Sequence, residues 1–581
     1  MNFILSIQLG HNSTICIADD QKIIGSLSQE KVDNIKNSSS FPSEAIKVLL
    51  KNLNIELSYI SKIVICGNQI YPPNPYNYKL KNNKLIDKNI FIFLTKYLLK
   101  LLKLNLILQF LKKIRQENLN KKGRKFLQNQ LKLLGLDKKP LSFVNHHDCH
   151  MAAALFSNRN FKVENEYIIL TIDGAGDGES STINIYRDGA IKKISSTNQI
   201  TSIGNFYSGV TRFLGMKPLE HEYKVMGLAP YANQKYSDEI YEKFFHNLIT
   251  IDPISKNKFL SEIDCFETYD YLCKNCIGYR FDNIAAAAQK LTEELVLALI
   301  QNLLKKYQIK NFCFGGGVFM NVKLNMKIQK MKELENVYFM PSSGDESNPI
   351  GAIYYENFYK NKKILPYLND LYLGLKFQTS EILQFINANS DALKLIKVDN
   401  FNEFIAQKLS EDKIIARFSG RGEFGARSLG NRAILANPSN LQNFYRINNL
   451  VKSRDFWMPF APTILKEFAH LYIKDFDQII SNTDSMITAF EATEKGRIDL
   501  ISAVHPSDYT LRPQVLEESQ NKDYYDLIKW FYKITGVPSL LNTSFNLHGY
   551  PMVSTLDQAL FAFKNSKLDY LIIENFVVSK K

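Results

Sequence analysis

A chain of 581 residues and 66.8 kDa holds several domain-sized units at about 150 residues each, which excludes a single small binding module. Hydrophobic residues make up 45% and charged residues 22%, with 38 Phe and 30 Tyr, so the chain is expected to fold almost throughout. Much of the Lys excess behind the net charge of +14 falls in Asn- and Lys-rich runs such as KLKNNKLIDKN and LNKKGRK, which read as solvated loops and not as a nucleic-acid surface.

The opening MNFILSIQLGHNST has no basic stretch before its apolar residues and no small-residue cleavage site, so it reads as a first strand and not as a signal peptide. Residues 3–28 give strand and turn three times over (FILSIQLG, STICIAD, KIIGSLSQE), and residues 167–196 repeat that layout. Two such β-meanders predict a duplicated α/β domain with a ligand between its halves, the arrangement of the actin-like ATPase fold. The greasy run between them carries Lys96, Lys100 and Lys103 one turn apart, so no membrane span is expected. Its basic amphipathic part, residues 90–113, reads as an insertion packed on its own domain or as a helix lying on a membrane surface. Further along, NFCFGGGVFMN is a short apolar strand, then Gly315, Gly316 and Gly317, then a helix, which lets a backbone approach a nucleotide closely. NKKILPYLNDLYLG reads as a connector, and a second α/β domain packed on the first is expected beyond it, dividing the chain into residues 1–365 and 366–581. The seven Cys are scattered and odd in number, as in a cytoplasmic protein with free thiols, and the lone pair Cys273 and Cys276, with Cys265 nearby, reads as local structure.

Two constellations carry chemistry. In VNHHDCHMAAALF, His146 and His150 stand at i and i+4 of a helix start and share one face. With Asp173, at the end of YIILTID, and Asp345, in PSSGDESN, they make a mixed nitrogen and oxygen set suited to zinc or iron(II); polar capping of a helix start explains the pair equally well. Towards the C-terminus Arg417, Arg421, Arg427, Arg432, Lys452, Arg454 and Arg512 offer donors for phosphate oxygens, joined by Ser544 and Asn546 after the strand VPSLLNTS. The alternative for the arginines is a set of solvated salt bridges.

Taken in order, GHNST, QEK with Phe41 and Pro42, NHHDCH, DGAGDG, EYKVMGLAPY, GGGVFMN, SGDES, GRGEFGARSLGNR, KSRDFWMPFAPTIL and LNTSFN resemble the NodU/CmcH/TobZ-type O-carbamoyltransferase family nearly end to end. The resemblance implies an N-terminal domain similar to the TsaD-type actin-like fold and a C-terminal domain similar to YrdC. It implies that carbamoyl phosphate and magnesium-bound ATP form carbamoyl adenylate, whose carbamoyl group passes to a hydroxyl of a small acceptor. By the same resemblance His146, His150, Asp173 and Asp345 become metal ligands, and the C-terminal Arg and Lys set holds carbamoyl phosphate and the ATP phosphates. His11, in the first Gly turn, is read as the base for the acceptor hydroxyl or as a phosphate donor. Lys224 and Asn321 are expected to face the adenylate or to close loops beside it.

This chain departs from the family in two places: GARSLGNRA replaces the more usual GPRALGNRS, and in NTSFNLHGYP His548 and Tyr550 replace a frequent Arg and acid. Rival readings are a threonylcarbamoyl-type tRNA modifier, which predicts salt-dependent tRNA binding, a non-enzymatic actin-like nucleotide-binding module, which adenylate formation would exclude, and a sugar kinase, which yields ADP where carbamoyl adenylation yields AMP and pyrophosphate.

Overall fold

The computed structural model describes residues 2–70 and 105–581, so the greater part of the amphipathic segment 90–113 lies outside the described residues. The first sheet contains β1 (Phe3–Gln8), β2 (Thr14–Ala18), β3 (Ile23–Ser28), β4 (Ile60–Cys66) and β5 (Leu141–Val144) in the order β3-β2-β1-β4-β5. β1 runs antiparallel to β2 and parallel to β4. Their β-branched residues are buried on both faces, as expected of strands that helices cover from either side.

The second sheet repeats the plan with β6 (Tyr167–Gly176), β7 (Glu179–Arg187) and β8 (Ala190–Asn198) as its meander. After a small ribbon of β9 (Ile249–Ile251) and β10 (Phe259–Ser261), β11 (Asn311–Gly315) and β12 (Asn336–Phe339) complete it in the order β12-β11-β6-β7-β8. Each sheet is therefore three antiparallel strands followed by two parallel ones. The first-turn residues that make this possible adopt positive φ: Gly10 and Asn12 between β1 and β2, Asp177 and Gly178 between β6 and β7.

Helices His146–Phe156 and Asn348–Tyr359 pack between the two sheets, with Ala152, Ala153, Ile350 and Ile353 in a shared core with Cys16 and Ile169. They cross at Gly351, where any Cβ would overlap the Cys149 carbonyl oxygen. That absence of a side chain sets how closely the helix carrying both histidines approaches the turn carrying Asp345.

The remaining strands are β13 (Leu393–Ile396), β14 (Ile415–Phe418), β15 (Arg432–Ala436), β16 (Ala461–Leu465), β17 (Phe490–Glu491), β18 (Thr510–Leu511), β19 (Gln514–Leu516), β20 (Ser539–Ser544), β21 (Tyr570–Ile573) and β22 (Phe576–Lys580). Eight of them form one mixed sheet, β13-β22-β21-β14-β15-β20-β16-β19, while β17 and β18 pair separately. Alternate residues serve two cores: Ala433, Leu435 and Leu540 face one, Ile434, Ala436 and Leu541 the other.

Backbone bonds stitch the connector to both parts. Ser26 of β3 donates to Leu373, Gly374 donates to Gly422, and Phe424 donates to Leu371. All seven cysteines are free, and no helix among the described residues is long and apolar enough to cross a membrane.

Candidate active site

Asn145 ends the loop after β5 and caps the next helix, its side chain accepting from the His147 and Asp148 amides. His146 and His150 follow one turn apart and bring their Nε2 atoms to 3.2 Å. Asp173, at the end of β6, lies 3.2 Å from His146 and 3.9 Å from His150, and Asp345 lies 3.5 and 3.6 Å from the same nitrogens. All four residues are buried, and one ligand atom from each lies within 4.8 Å of the others. Gly176 makes room, since a Cβ there would strike the His146 ring.

The electrostatics of this group are extreme. Burial works against a charged His146, but Asp345 and Asp173 outweigh it and push the imidazole up to about 9. Burial and then the charges of His146 and His150 pull His147 down to about 3. Asp173 stays well below the usual carboxylate range against the opposing effect of its burial, because His146 and His150 face it. Two carboxylates this close repel unless a positive charge lies between them. Two imidazoles and two carboxylates converging without bulk solvent fit a divalent cation of the zinc or iron(II) type.

Asp173, Asp345 and half-exposed His11 line a cavity of about 420 Å³. His11 Nε2 lies 3.6 Å from Asp345 Oδ2. Arg427, Arg454 and Arg512, contributed from beyond the connector, line the same cavity. Removal from solvent, then the neighbouring Arg427 and Arg454, pull Arg512 well below its ordinary value, and removal from solvent brings Arg427 down to about 10. The buried Nε atoms of Arg427 and Arg512 have no hydrogen-bond partner, and among the described residues no carboxylate forms an ion pair with any of the three. Three neighbouring guanidinium groups with no carboxylate in ion-pair contact favour an anion between them.

Ser544 and Asn546 line the cavity near this cluster. Lys452 is held behind them: its ammonium reaches Ser544 O at 2.5 Å, Asn546 Oδ1 at 2.6 Å, Asn546 O at 3.1 Å and Ser544 Oγ at 3.3 Å. Four protein oxygens share three protons, which directs the lysine at the loop and not at a ligand. His548 donates Nδ1–H to the Lys452 carbonyl at 2.7 Å, and Tyr550 lines the cavity.

Three arginines grouped with these by the sequence lie elsewhere. Arg421 donates to the carbonyls of Ile24, Leu373 and Gly374 and rivets β3 to the connector. Arg432 is 1% exposed and donates to Ser419, Gly420, Asn431 and Leu375 carbonyls. Arg417 donates to the Gly430 carbonyl and Asn431 Oδ1. Protein oxygens hold all three guanidinium groups, although the buried Nε of Arg432 has no partner, and none of the three lines the cavity, so their geometry is that of structural ties instead of phosphate contacts.

Lys224 is paired with Asp455 at 3.0 Å and is not part of the cavity lining. Asn321 does line it, while its side chain caps the Leu324 amide and exchanges hydrogen bonds with Gln289. In the Gly triplet, Gly315 packs under His150, Gly316 at φ 95° packs on Ile172, and Gly317 lines the cavity and donates to Asp173 Oδ1 at 2.8 Å.

Several contributors escaped the sequence reading although they sit inside its motifs. Glu346 follows Asp345, is buried, and accepts from Asn12 at 3.2 Å. Asp177, the second acid of DGAGDG, accepts from the amides of Asn68, Gln69 and His146 and fixes the helix start. Gln8 donates to Asp345 Oδ2 at 3.3 Å. Only pairing across the fold distinguishes these from ordinary turn residues.

The carbamoyltransferase N-terminus model matches residues 4–354 and the carbamoyltransferase C-terminus model residues 406–580. Uncharacterized protein MJ1051 of Methanocaldococcus jannaschii is 29% identical over 99% of both chains. Nodulation protein NolNO of Sinorhizobium fredii is 27% identical over 98% of this chain and 79% of its own. Component A of the Acidaminococcus fermentans (R)-2-hydroxyglutaryl-CoA dehydratase superposes over 61% of this chain and 96% of its own with a TM-score of 0.33 and 13% identity, a likeness too remote to bear on function.

Proposed function

From a chain that belongs to the carbamoyltransferase family, and so transfers carbamoyl groups, we propose a two-step reaction: carbamoyl phosphate and ATP form carbamoyl adenylate, and the carbamoyl group then passes to a hydroxyl of a sugar, glycoside or other small secondary metabolite. One observation carries this reading: the His and Asp cluster and the unpaired arginines open into a single cavity. We assign the second step to residues 1–365, as a TsaD-like actin-fold unit, and the first to residues 366–581, as a YrdC-like unit, in a cytoplasmic enzyme.

In the first step water cleaves carbamoyl phosphate to carbamate and phosphate, and a carbamate oxygen displaces pyrophosphate from the α-phosphorus of magnesium-bound ATP. Arg427, Arg454 and Arg512, with Ser544 and Asn546, hold the phosphate oxygens and stabilise the departing negative charge. Lys452 keeps the Ser544 and Asn546 loop in place. Gly317 and Asn321 form the wall that the adenylate faces, with Lys224 behind it.

In the second step the acceptor oxygen attacks the carbamoyl carbon, its proton passes to His11, and AMP leaves. Asp345, 3.6 Å from His11, stabilises the resulting imidazolium. Iron(II) or zinc held by His146, His150, Asp173 and Asp345 supplies Lewis-acid polarisation at this end of the cavity when bound. Transfer within the enclosed space keeps the reactive adenylate from hydrolysis.

The test is product analysis with ATP, magnesium and carbamoyl phosphate but no acceptor. AMP and pyrophosphate are expected only when carbamoyl phosphate is present. ADP as product would favour a kinase, and the absence of any carbamoyl-phosphate-dependent product would sink the adenylation step.

A further inference from the structure

Lys323 is the second residue of the helix Val322–Gln329, which follows the glycine turn and its cap Asn321. The residue is 8% exposed, yet its ammonium reaches across to the C-terminal part of the chain and donates to the Asp508 carboxylate and Thr510 Oγ1. Asp508 is itself held in a closed loop: Thr510 donates to its Oδ1 from both hydroxyl (2.8 Å) and amide (3.2 Å), and the His505 amide donates to the Thr510 carbonyl. His505 Nδ1 accepts from the Ser507 amide, which leaves Nε2 to donate to Gly227 of the N-terminal part at 3.0 Å. Tyr509, at φ 54°, takes a left-handed conformation that is costly for a non-glycine residue. Two residues beyond Thr510, after buried Leu511, comes Arg512.

The helix is equally fixed to its new neighbours. Ala489 donates its amide to Val322, and Asn325 Nδ2 donates to the Ile487 carbonyl at 2.7 Å. Lys323 and Arg512 both line the cavity, and the same short segment begins at Gly317, whose amide holds Asp173.

We infer that Lys323 is a positioning residue: through Asp508 and Thr510 it fixes the loop that presents Arg512 to the bound anion, so that the anion site depends on the N-terminal half. The inference rests on the reading that Arg427, Arg454 and Arg512 hold phosphate. A lysine that contacted the anion itself would behave differently, because freeing it from Asp508 would preserve or strengthen binding.

The experiment is calorimetric titration of the full-length protein with inorganic phosphate and with carbamoyl phosphate, for wild type, Lys323→Met, Lys323→Arg, Asp508→Asn and Arg512→Gln, with thermal unfolding of each. Lys323→Met and Asp508→Asn are each expected to weaken phosphate binding about tenfold, and Lys323→Arg to restore part of the loss. In the Arg512→Gln background the Lys323→Met effect is expected to shrink to near onefold. Unchanged phosphate affinity in Lys323→Met, tighter binding in Asp508→Asn, or independent effects of Lys323→Met and Arg512→Gln would each overturn the inference. Unchanged affinity in Arg512→Gln alone would instead remove the anion reading on which it stands.

Discussion

Arg427 and Arg432 lie in one short motif, and the structure gives them opposite circumstances. Arg432 satisfies four main-chain carbonyls and sits 3.7 Å over the Phe418 ring, whereas among the described residues Arg427 has no carboxylate in ion-pair contact and lies beside the cations Arg454 and Arg512 at the cavity. Replacing a buried charged donor leaves its acceptors unsatisfied, at a cost of about 3–5 kcal/mol. Arg432→Met is therefore expected to lower Tm by several degrees while its folded fraction keeps phosphate affinity. Arg427→Met relieves cation repulsion, so its Tm is expected to hold or rise while phosphate affinity falls at least tenfold. Paired thermal melts and phosphate titrations check both, and equal losses of affinity in the two variants would contradict the division drawn between them. The motif could not reveal this division, since every guanidinium in GRGEFGARSLGNR looks alike until the fold assigns each one its acceptors. Nor could the sequence show that the Lys452 ammonium is filled by Ser544 and Asn546, because those oxygens lie some ninety residues further along.

At the scale of elements, local patterns carried the parts of the fold that local chemistry determines. The two meanders are readable because apolar alternation and Gly, Asn and Asp turn residues lie close in sequence, and the spacing of His146 and His150 suffices to bring two imidazoles together on a helix. The C-terminal sheet was not readable in detail. Its strands are short and its partners distant, as with β14, which pairs in parallel with β21 only after most of that part of the chain has intervened. The helix crossing at Gly351 was also hidden, although it sets how the histidines meet Asp345. Gly351→Ala forces the Cys149 backbone away and is expected to cost about 1–3 kcal/mol by overpacking. Because the displaced helix carries His146 and His150, metal retained after dialysis should fall with it. Elemental analysis alongside a melt tests this, and a lowered Tm with full metal retention would separate the packing from the ligand geometry.

For the whole molecule, the consequence of one shared cavity is that its two ends can be disabled separately. His150 is fully buried among the proposed ligands, and Arg512 belongs to the arginine group contributed from the other part of the chain. His150→Ala is expected to lose metal and carbamoyl transfer while still releasing pyrophosphate from ATP when carbamoyl phosphate is present. Arg512→Ala is expected to keep its metal and to lose pyrophosphate release by at least a hundredfold, since an interaction stronger in the transition state is removed from a largely desolvated site. Mixing the two variants should not restore transfer, because an adenylate made in one molecule would have to cross water to reach the other. Measured together, pyrophosphate release, metal content and carbamoylated product distinguish a passage within one chain from a freely diffusing intermediate. Full recovery in the mixture would show that the intermediate escapes, and the shared cavity would then serve binding alone.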